Sequence, residues 1–327
     1  MRIVIAGFGT VGQGFAEVLH LKSDLFDEPV KIVAAFDSKS YVTDSGGLDP
    51  VALVNRKKET GAVGPNRMGS GIDVLDSVDY DVLVEVSPTD IRTGGEGLRH
   101  VEHTLRKGKD VITVNKGPLA LKFNKLNRLA KKKGSILRFE GSVGGAMPII
   151  NLCSENLRGE QVRSIRGIFN GTCNFILSRM DTGLPFEQAL KEAQQLGYAE
   201  TDPTYDIEGI DTACKVVILA NSIFNRDVTF ADVSITGITS VSSEAIALAA
   251  DQGMVIRLIG EVSDTVLEVS PRLVPKGHPL SVSGTLNTAR IQTDLAGTIT
   301  ISGKGAGRIE TASAILSDLM AIMDSRR

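Results

Sequence analysis

The chain has no excess of positive charge, no long apolar run and almost no cysteine. Its 36 lysines and arginines are outnumbered by 39 aspartates and glutamates, for a net charge of −3. Nucleic-acid and membrane-surface proteins normally present a basic face, so neither partner is expected. No apolar stretch approaches the roughly 18 residues of a membrane span. The opening MRIVIAG already reads as a strand, which leaves no room for a signal peptide. Cys153, Cys173 and Cys214 are the only cysteines, an odd number without CxxC spacing. Reduced thiols, a cytoplasmic location and no cysteine metal site are therefore expected. Internal repeats, low-complexity tracts and long linkers are missing too. What remains, 42% hydrophobic and 23% charged over 327 residues, is an ordinary globular composition, long enough for two domains of about 100–200 residues.

The N-terminal part carries a dinucleotide pattern. RIVIAGFGTVGQG is a β-branched run followed by Gly7, Gly9 and Gly12 in GxGxxG spacing, and then by an amphipathic stretch with Val11, Phe15, Val18 and Leu19. The first glycine permits the tight turn, the second lets backbone approach a pyrophosphate, and the third lets the helix pack closely with its amides aimed at the phosphates. A second strand, KIVAAFD, ends at Asp37, where an acid can accept a ribose 2′-hydroxyl. Lys39 and the run Arg56-Lys57-Lys58 could instead neutralise a 2′-phosphate, so NAD and NADP both stay open. DVLVEVSP and DVITVNKG read as buried parallel strands. They place Ser87 and Thr89, then Asn115 and Lys116, beyond strand ends, where such sheets bind ligands. For Lys116 a surface role ahead of a helix remains the alternative.

After SILRFEGSVGGAMPII the pattern changes. Helical stretches (GAMPIINLCSENL, PFEQALKEAQQLG, DIEGIDTACKVVILANSIF) mix with extended ones (VRSIRGIFNG, MVIRLIGEVS, VLEVSPRLV, ARIQTDLAGTITISG). This predicts an α+β domain whose sheet carries helices on one face and can pair with a second copy through the other. GKGAGRIETASAILSDLMAIM reads as a glycine turn entering a last helix. Residues 43–71, rich in Gly, Pro and Asp, are expected to form a mobile surface loop.

One stretch demands a chemical explanation. GYAETDPTYDIEGIDTACK, residues 197–215, sets five acids and one lysine directly before the apolar VVILA. Asp202-Pro203 marks a turn. Asp206 can cap the following helix. Asp211 and Lys215, at i and i+4, share a helix face. On a surface such a pair is worth only about 0.3–0.5 kcal/mol. Flanked by Ile207, Ile210, Val217 and Ile218, the pair points instead to a functional site.

Together these segments resemble homoserine dehydrogenase. The resemblance is carried by GFGTVGQG, TVNKGPLA, EGSVGGAMPII, GIFNGTCNFIL, the GYAE-x-DP-x-x-DIEG-x-D-x-A-x-K stretch, TDLAG and GKGAGRIETASAILSDL, in that order. It implies an α/β protein with a Rossmann dinucleotide-binding domain, residues 1–138 with 306–327, and an α+β catalytic and dimerisation domain, residues 139–305. It also implies reversible hydride transfer between NAD or NADP and the carbon linking L-homoserine to L-aspartate 4-semialdehyde, a small amino-acid substrate, in threonine, methionine and isoleucine biosynthesis, by a homodimer. Lys116 and Lys215 would handle the proton, Asp211 would position Lys215, and Glu200, Asp206 and Thr172 would hold the substrate. Gly7, Gly9, Thr10, Val11, Gly12, Asp37, Lys39, Ser87 and Lys116 would meet the cofactor. Glu140, Val143 and Gly145 would offer carbonyl oxygens to a sodium ion, although the same residues read equally well as a tight turn. The chain ends after the TASAILSDL helix, so the amino-acid-binding regulatory domain of longer members is not expected, nor strong inhibition by threonine.

Two rivals make different demands. A semialdehyde dehydrogenase working through a thioester needs a nucleophilic cysteine paired with histidine. His20, His100, His103 and His278 show no such pairing with the cysteines. A nucleotide-sensing module would keep the glycine turn without needing Lys116 and Lys215.

Overall fold

The computed structural model describes residues 1–327. Contacts divide the chain into two compact units, residues 1–142 with 307–327 and residues 143–306. The first unit opens with β1 (Arg2–Ala6), α1 (Thr10–Leu21) and β2 (Lys31–Phe36), followed by β3 (Ser40–Leu48), α2 (Pro50–Thr60), β4 (Asn66–Arg67) and α3 (Gly71–Ser77). It continues through β5 (Val82–Glu85), α4 (Gly95–Arg106), β6 (Asp110–Thr113), α5 (Lys116–Lys133) and β7 (Leu137–Arg138). Its sheet runs β4-β3-β2-β1-β5-β6-β7. The strands from β2 to β7 are parallel, while β3 and β4 add antiparallel at one edge.

Residues 43–71 are not a mobile loop. They hold most of β3, all of α2 and β4, and the start of α3. The residues that suggested a loop are helix punctuation. Asp49 accepts hydrogen bonds from Val51 N at 2.8 Å and Ala52 N at 3.3 Å, Pro50 occupies the first turn, and Gly61 closes the helix at φ 72°. An Asp cap, an early proline and a left-handed glycine are what a short helix needs at its ends.

In the second unit come α6 (Ile149–Asn151), continued as a wide π turn over Leu152–Asn156, then β8 (Val162–Ile168), α7 (Gly171–Met180), α8 (Phe186–Gln195), α9 (Thr204–Ile207) and α10 (Ile210–Ile223). β9 (Ser234–Ile235), α11 (Ser243–Asp251), β10 (Met254–Ser263), β11 (Leu267–Pro275), β12 (Leu286–Thr293) and β13 (Thr298–Lys304) complete it. The sheet order is β13-β12-β8-β10-β11-β9, antiparallel except where β9 joins β11. α10 lies hard against this sheet: a Cβ on Gly260 of β10 would stand 2.9 Å from the Val216 side chain and 3.0 Å from that of Thr212.

The chain then returns to the first unit as α12 (Arg308–Arg326). Alternate residues of β1 enter two cores, because side chains alternate across a strand. Ile3 and Ile5 join Phe15 of α1 and Ala312, Ile315, Leu319 and Ile322 of α12. Val4 and Ala6 join Val74, Leu75, Val101 and Leu105 of α3 and α4. Each large aliphatic side chain that α12 buries is worth about 1.5–3 kcal/mol, so this last helix is part of what holds the sheet together.

Candidate active site

The glycine turn follows β1 directly. Gly7 has φ 98°, and a Cβ there would stand 2.6 Å from Ser87 N. At Gly12 a Cβ would run into the Gly7 carbonyl oxygen, which is how α1 comes so close to the turn. Above Gly9 there is open space, and no side chain caps α1. Helix amides left uncapped beside an open backbone form an anion site, so this turn suits a dinucleotide pyrophosphate. Thr10 is exposed and Val11 half-buried at the same corner.

Asp37, just beyond β2, accepts hydrogen bonds from Lys39 N at 2.8 Å, Ser40 N at 2.9 Å and Lys57 Nζ at 2.6 Å. Burial works to raise its pKa, but the Lys57 ammonium and the two amides prevail and hold it below the ordinary carboxylate value. The basic run is thus divided: Lys57 faces Asp37, while Lys58 reaches Glu17 at 3.4 Å. Lys39 is exposed. On the other side of β1, Asn115 caps α5 by accepting from Gly117 N at 3.1 Å, which makes the half-buried Lys116 the first helical residue.

In the second unit the acidic stretch folds onto the start of α7. Lys215 Nζ donates to Asp211 Oδ2 at 2.6 Å and to the Phe169 carbonyl at 2.5 Å. Only 7% of Lys215 and 6% of Asp211 are exposed, which removes the surface-pair reading. Asp206 is not a helix cap. It lies inside the short α9, and Gly209, at φ 79°, starts α10 with no side-chain cap. A glycine in the left-handed region breaks what the sequence suggested was one helix. Asp206 is instead held by Asn170, whose Nδ2 donates to Asp206 Oδ1 at 2.6 Å and to Asp211 Oδ2 at 3.0 Å. Burial, and then the neighbouring Asp211, push the Asp206 pKa up.

Thr172 donates to the Tyr198 carbonyl at 2.7 Å, and Glu200 is exposed, its backbone oxygen accepting from Gln194. Asp206, Asp211 and Lys215 are therefore gathered into one cluster, which the Glu200 side chain does not join. Asn170 and the Phe169 carbonyl were not anticipated. Their one sequence trace was an asparagine directly before Gly-Thr, a common helix-capping choice, and Asn170 does accept from Cys173 N at 2.8 Å. Cys173 is buried, and burial followed by Asp206 raises its thiol pKa well above the ordinary value, the opposite of what a nucleophile needs. All three cysteines are buried and none is in a disulfide. No group of three or more His, Cys, Asp or Glu side chains is placed to hold a metal ion.

An ammonium held between a carboxylate and a carbonyl, with a second carboxylate of raised pKa beside it, can polarise a carbonyl, manage a proton and bind a cationic group. Comparison with known proteins gives the reaction. The family described as homoserine dehydrogenase matches residues 148–320, and the one described as homoserine dehydrogenase, NAD binding domain, matches residues 7–140. The homoserine dehydrogenase of Methanocaldococcus jannaschii is 50% identical over the full length of both chains. A crystal structure from Archaeoglobus fulgidus, assigned to the same activity, is 48% identical with a TM-score of 0.92, covering 98% of this chain and 99% of the other. A hyperthermophilic archaeal homoserine dehydrogenase in complex with NADPH is 30% identical with a TM-score of 0.87, covering 98% and 96%. The chain belongs to the homoserine dehydrogenase family, the NAD(P)-dependent oxidoreductases that interconvert L-homoserine and L-aspartate 4-semialdehyde.

Proposed function

We propose that Lys215 manages the charge and proton on the C4 oxygen in this reaction. The buried Asp211–Lys215 pair carries the reading, since an ion pair taken out of water is retained at a cost that a surface pair does not bear. In the oxidative direction C4 of homoserine loses a hydride to the nicotinamide ring, which supplies the two-electron chemistry when the cofactor is bound. Its hydroxyl proton must leave at the same time. Lys215, as the neutral amine, takes up that proton and becomes the ammonium; in reverse, the ammonium polarises the aldehyde oxygen and gives the proton back. Asp211 fixes the ammonium, and Asn170 fixes Asp211. Asp206 holds the substrate ammonium, with Thr172 and Glu200 as further substrate contacts. Lys116, at the start of α5, is a second proton-handling group.

For the cofactor, open backbone at Gly9 and the uncapped α1 support pyrophosphate binding through Gly7, Gly9, Thr10, Val11 and Gly12. Ser87 and Lys116 serve the nicotinamide side. Asp37 neutralised by Lys57 supports use of both NAD and NADP, with Lys39 available to a 2′-phosphate. Carbonyls of Glu140, Val143 and Gly145 are donors of the oxygen type that a hard cation such as sodium takes, and no step above depends on one. The first unit is then the cofactor domain and the second the catalytic one.

A homodimer is supported by β13, an edge strand with no buried residue, since natural proteins usually cover such edges. Three cysteines outside any disulfide support a cytoplasmic setting, and no helix is long and apolar enough to cross a membrane. The pathway role is supply of the threonine, methionine and isoleucine branch. Following reduced-nicotinamide absorbance with homoserine and NAD or NADP tests the assignment, and a Lys215→Met protein that turned over at the wild-type rate would overturn it.

A further inference from the structure

Glu85, the last residue of β5, is fully buried, and the reaction as derived above gives it no part. Everything around its carboxylate donates. Ser87 N reaches Oε1 at 2.9 Å, the Ser87 hydroxyl donates to the same oxygen, and His100 Nδ1 lies 2.8 Å from Oε2. Asn115, the cap residue next to Lys116, donates through Nδ2 to Ser87 Oγ at 3.3 Å and to the Pro88 carbonyl at 3.2 Å. Glycines admit the network: a Cβ on Gly97 would strike Asn115 Nδ2, and one on Gly71 would strike His100 Nε2.

A serine hydroxyl has one donor and two acceptor positions. In Ser87 the donor goes to Glu85 and one acceptor position to Asn115. One lone pair is left, on a half-exposed side chain whose backbone abuts Gly7 of the phosphate turn. Asp37 follows β2 on one side of β1, and Ser87 follows β5 on the other. A dinucleotide lies across such a switch point, so Asp37 takes the adenosine end and Ser87 the nicotinamide end.

We propose that Glu85 is a positioning residue for the cofactor. It fixes Ser87 as a pure hydrogen-bond acceptor for an N–H or O–H donor of the nicotinamide half, either the carboxamide or the ribose. The proposal rests on the reading of this crevice as the cofactor site. The test compares binding of NADPH, ADP-ribose and ADP, by fluorescence or calorimetry, to Ser87→Ala, Glu85→Leu and the double variant. Each single change should weaken NADPH about tenfold, leave ADP unaffected, and add nothing to the other. Parallel loss of ADP-ribose affinity identifies the ribose as the donor; unchanged ADP-ribose identifies the carboxamide. If Glu85→Leu does not fold, Glu85→Ala replaces it, because it removes both acceptor oxygens without adding bulk; the NADPH loss should persist. Normal NADPH binding by Ser87→Ala would remove Ser87 from the cofactor site and with it the crevice reading. A loss in Ser87→Ala with none in the folded Glu85 variant, whatever its melting temperature, would overturn the positioning role alone.

Discussion

The two regions proposed to bind cofactor and substrate handle charge in opposite ways. Around Gly7–Gly12 the first unit offers open backbone above Gly9 and helix amides that no side chain caps, so that phosphates would be met by backbone N–H groups. Around Asn170 and α10 the second unit holds two carboxylates and an ammonium already out of water, tied to each other and to a carbonyl. The first arrangement costs little to keep empty and tolerates side-chain changes that leave its glycines alone. The second is expensive to hold and fails when one member of the ion pair is removed, because a buried charge then loses its counter-charge, at about 3–5 kcal/mol. Point substitutions should therefore act on affinity in the first region and on turnover and folding together in the second.

The largest effect is expected at Lys215. Lys215→Met keeps side-chain length but removes the charge and the donor. Loss of a preorganised charge at the reacting oxygen typically costs about 10²–10³ in kcat. The glycine turn lies in the other unit, so NADPH affinity should remain near wild type in the folded protein. The melting temperature should also fall, since the buried Asp211 carboxylate loses its counter-charge. Asp211→Asn acts through the same ammonium, and the double variant should be far less than additive. Measuring kcat, NADPH affinity and thermal midpoint together separates the outcomes; a lower midpoint with unchanged kcat would reduce the pair to a structural one.

A smaller effect, with a pH signature, is expected at Asp206. Its folded pKa is raised, so its negative charge is lost at a higher pH than for an ordinary carboxylate. Homoserine KM should therefore climb on mild acidification, before unperturbed carboxylates protonate. The stability sign runs the other way. A raised carboxylate pKa means that the ionised form costs stability above that pKa, and the cost disappears as the pH falls through it. Asp206→Asn should accordingly fold at least as stably at neutral pH while raising homoserine KM about tenfold to a hundredfold, the weight of a hydrogen bond to a charged group. In that variant the acidic rise in KM should flatten. An unchanged acid limb would remove Asp206 from the substrate contacts.

The same contrast explains what could be read from the amino acids. The phosphate turn is local: strand, three glycines and helix lie within about a dozen residues, and each glycine has a steric reason for its place. Asp211 and Lys215 were legible as well, because i,i+4 spacing on an apolar helix fixes both their separation and their burial. Asn170 was not. It reaches Asp206 and Asp211 across 36 and 41 residues of chain, and nothing in FNGT distinguishes a capping asparagine from one that also clasps two acids. Glu85 was hidden for a related reason, as a single acid ending an apolar run whose imidazole partner comes from α4. Cap residues misled in the other direction at Asp49 and Gly61, where helix ends resembled a loop.

The smallest effect belongs to the first region and tests whether its neutrality is deliberate. Asp37 is held ionised by Lys57 and two backbone amides, and Lys57 is itself anchored to the Gly61 carbonyl at 2.6 Å. Paired in this way the acid presents little net charge, and a 2′-phosphate can approach it. Lys57→Ala would leave Asp37 with its amides but without its cation. A bare carboxylate still accepts the 2′-hydroxyl of NAD yet repels the 2′-phosphate of NADP. The pair is partly exposed, so its weight is at most about 1 kcal/mol, and kcat/KM for NADP relative to NAD should fall roughly fivefold. Lys39→Ala should shift the ratio in the same direction by less, because Lys39 is exposed and only its backbone amide touches Asp37. Raising the salt concentration should shrink both effects, as it does for any exposed charge. If Lys57→Ala lowered both cofactors equally, the pair would be a brace for the β2–α2 connection, and the first region would owe its cofactor choice to something other than charge.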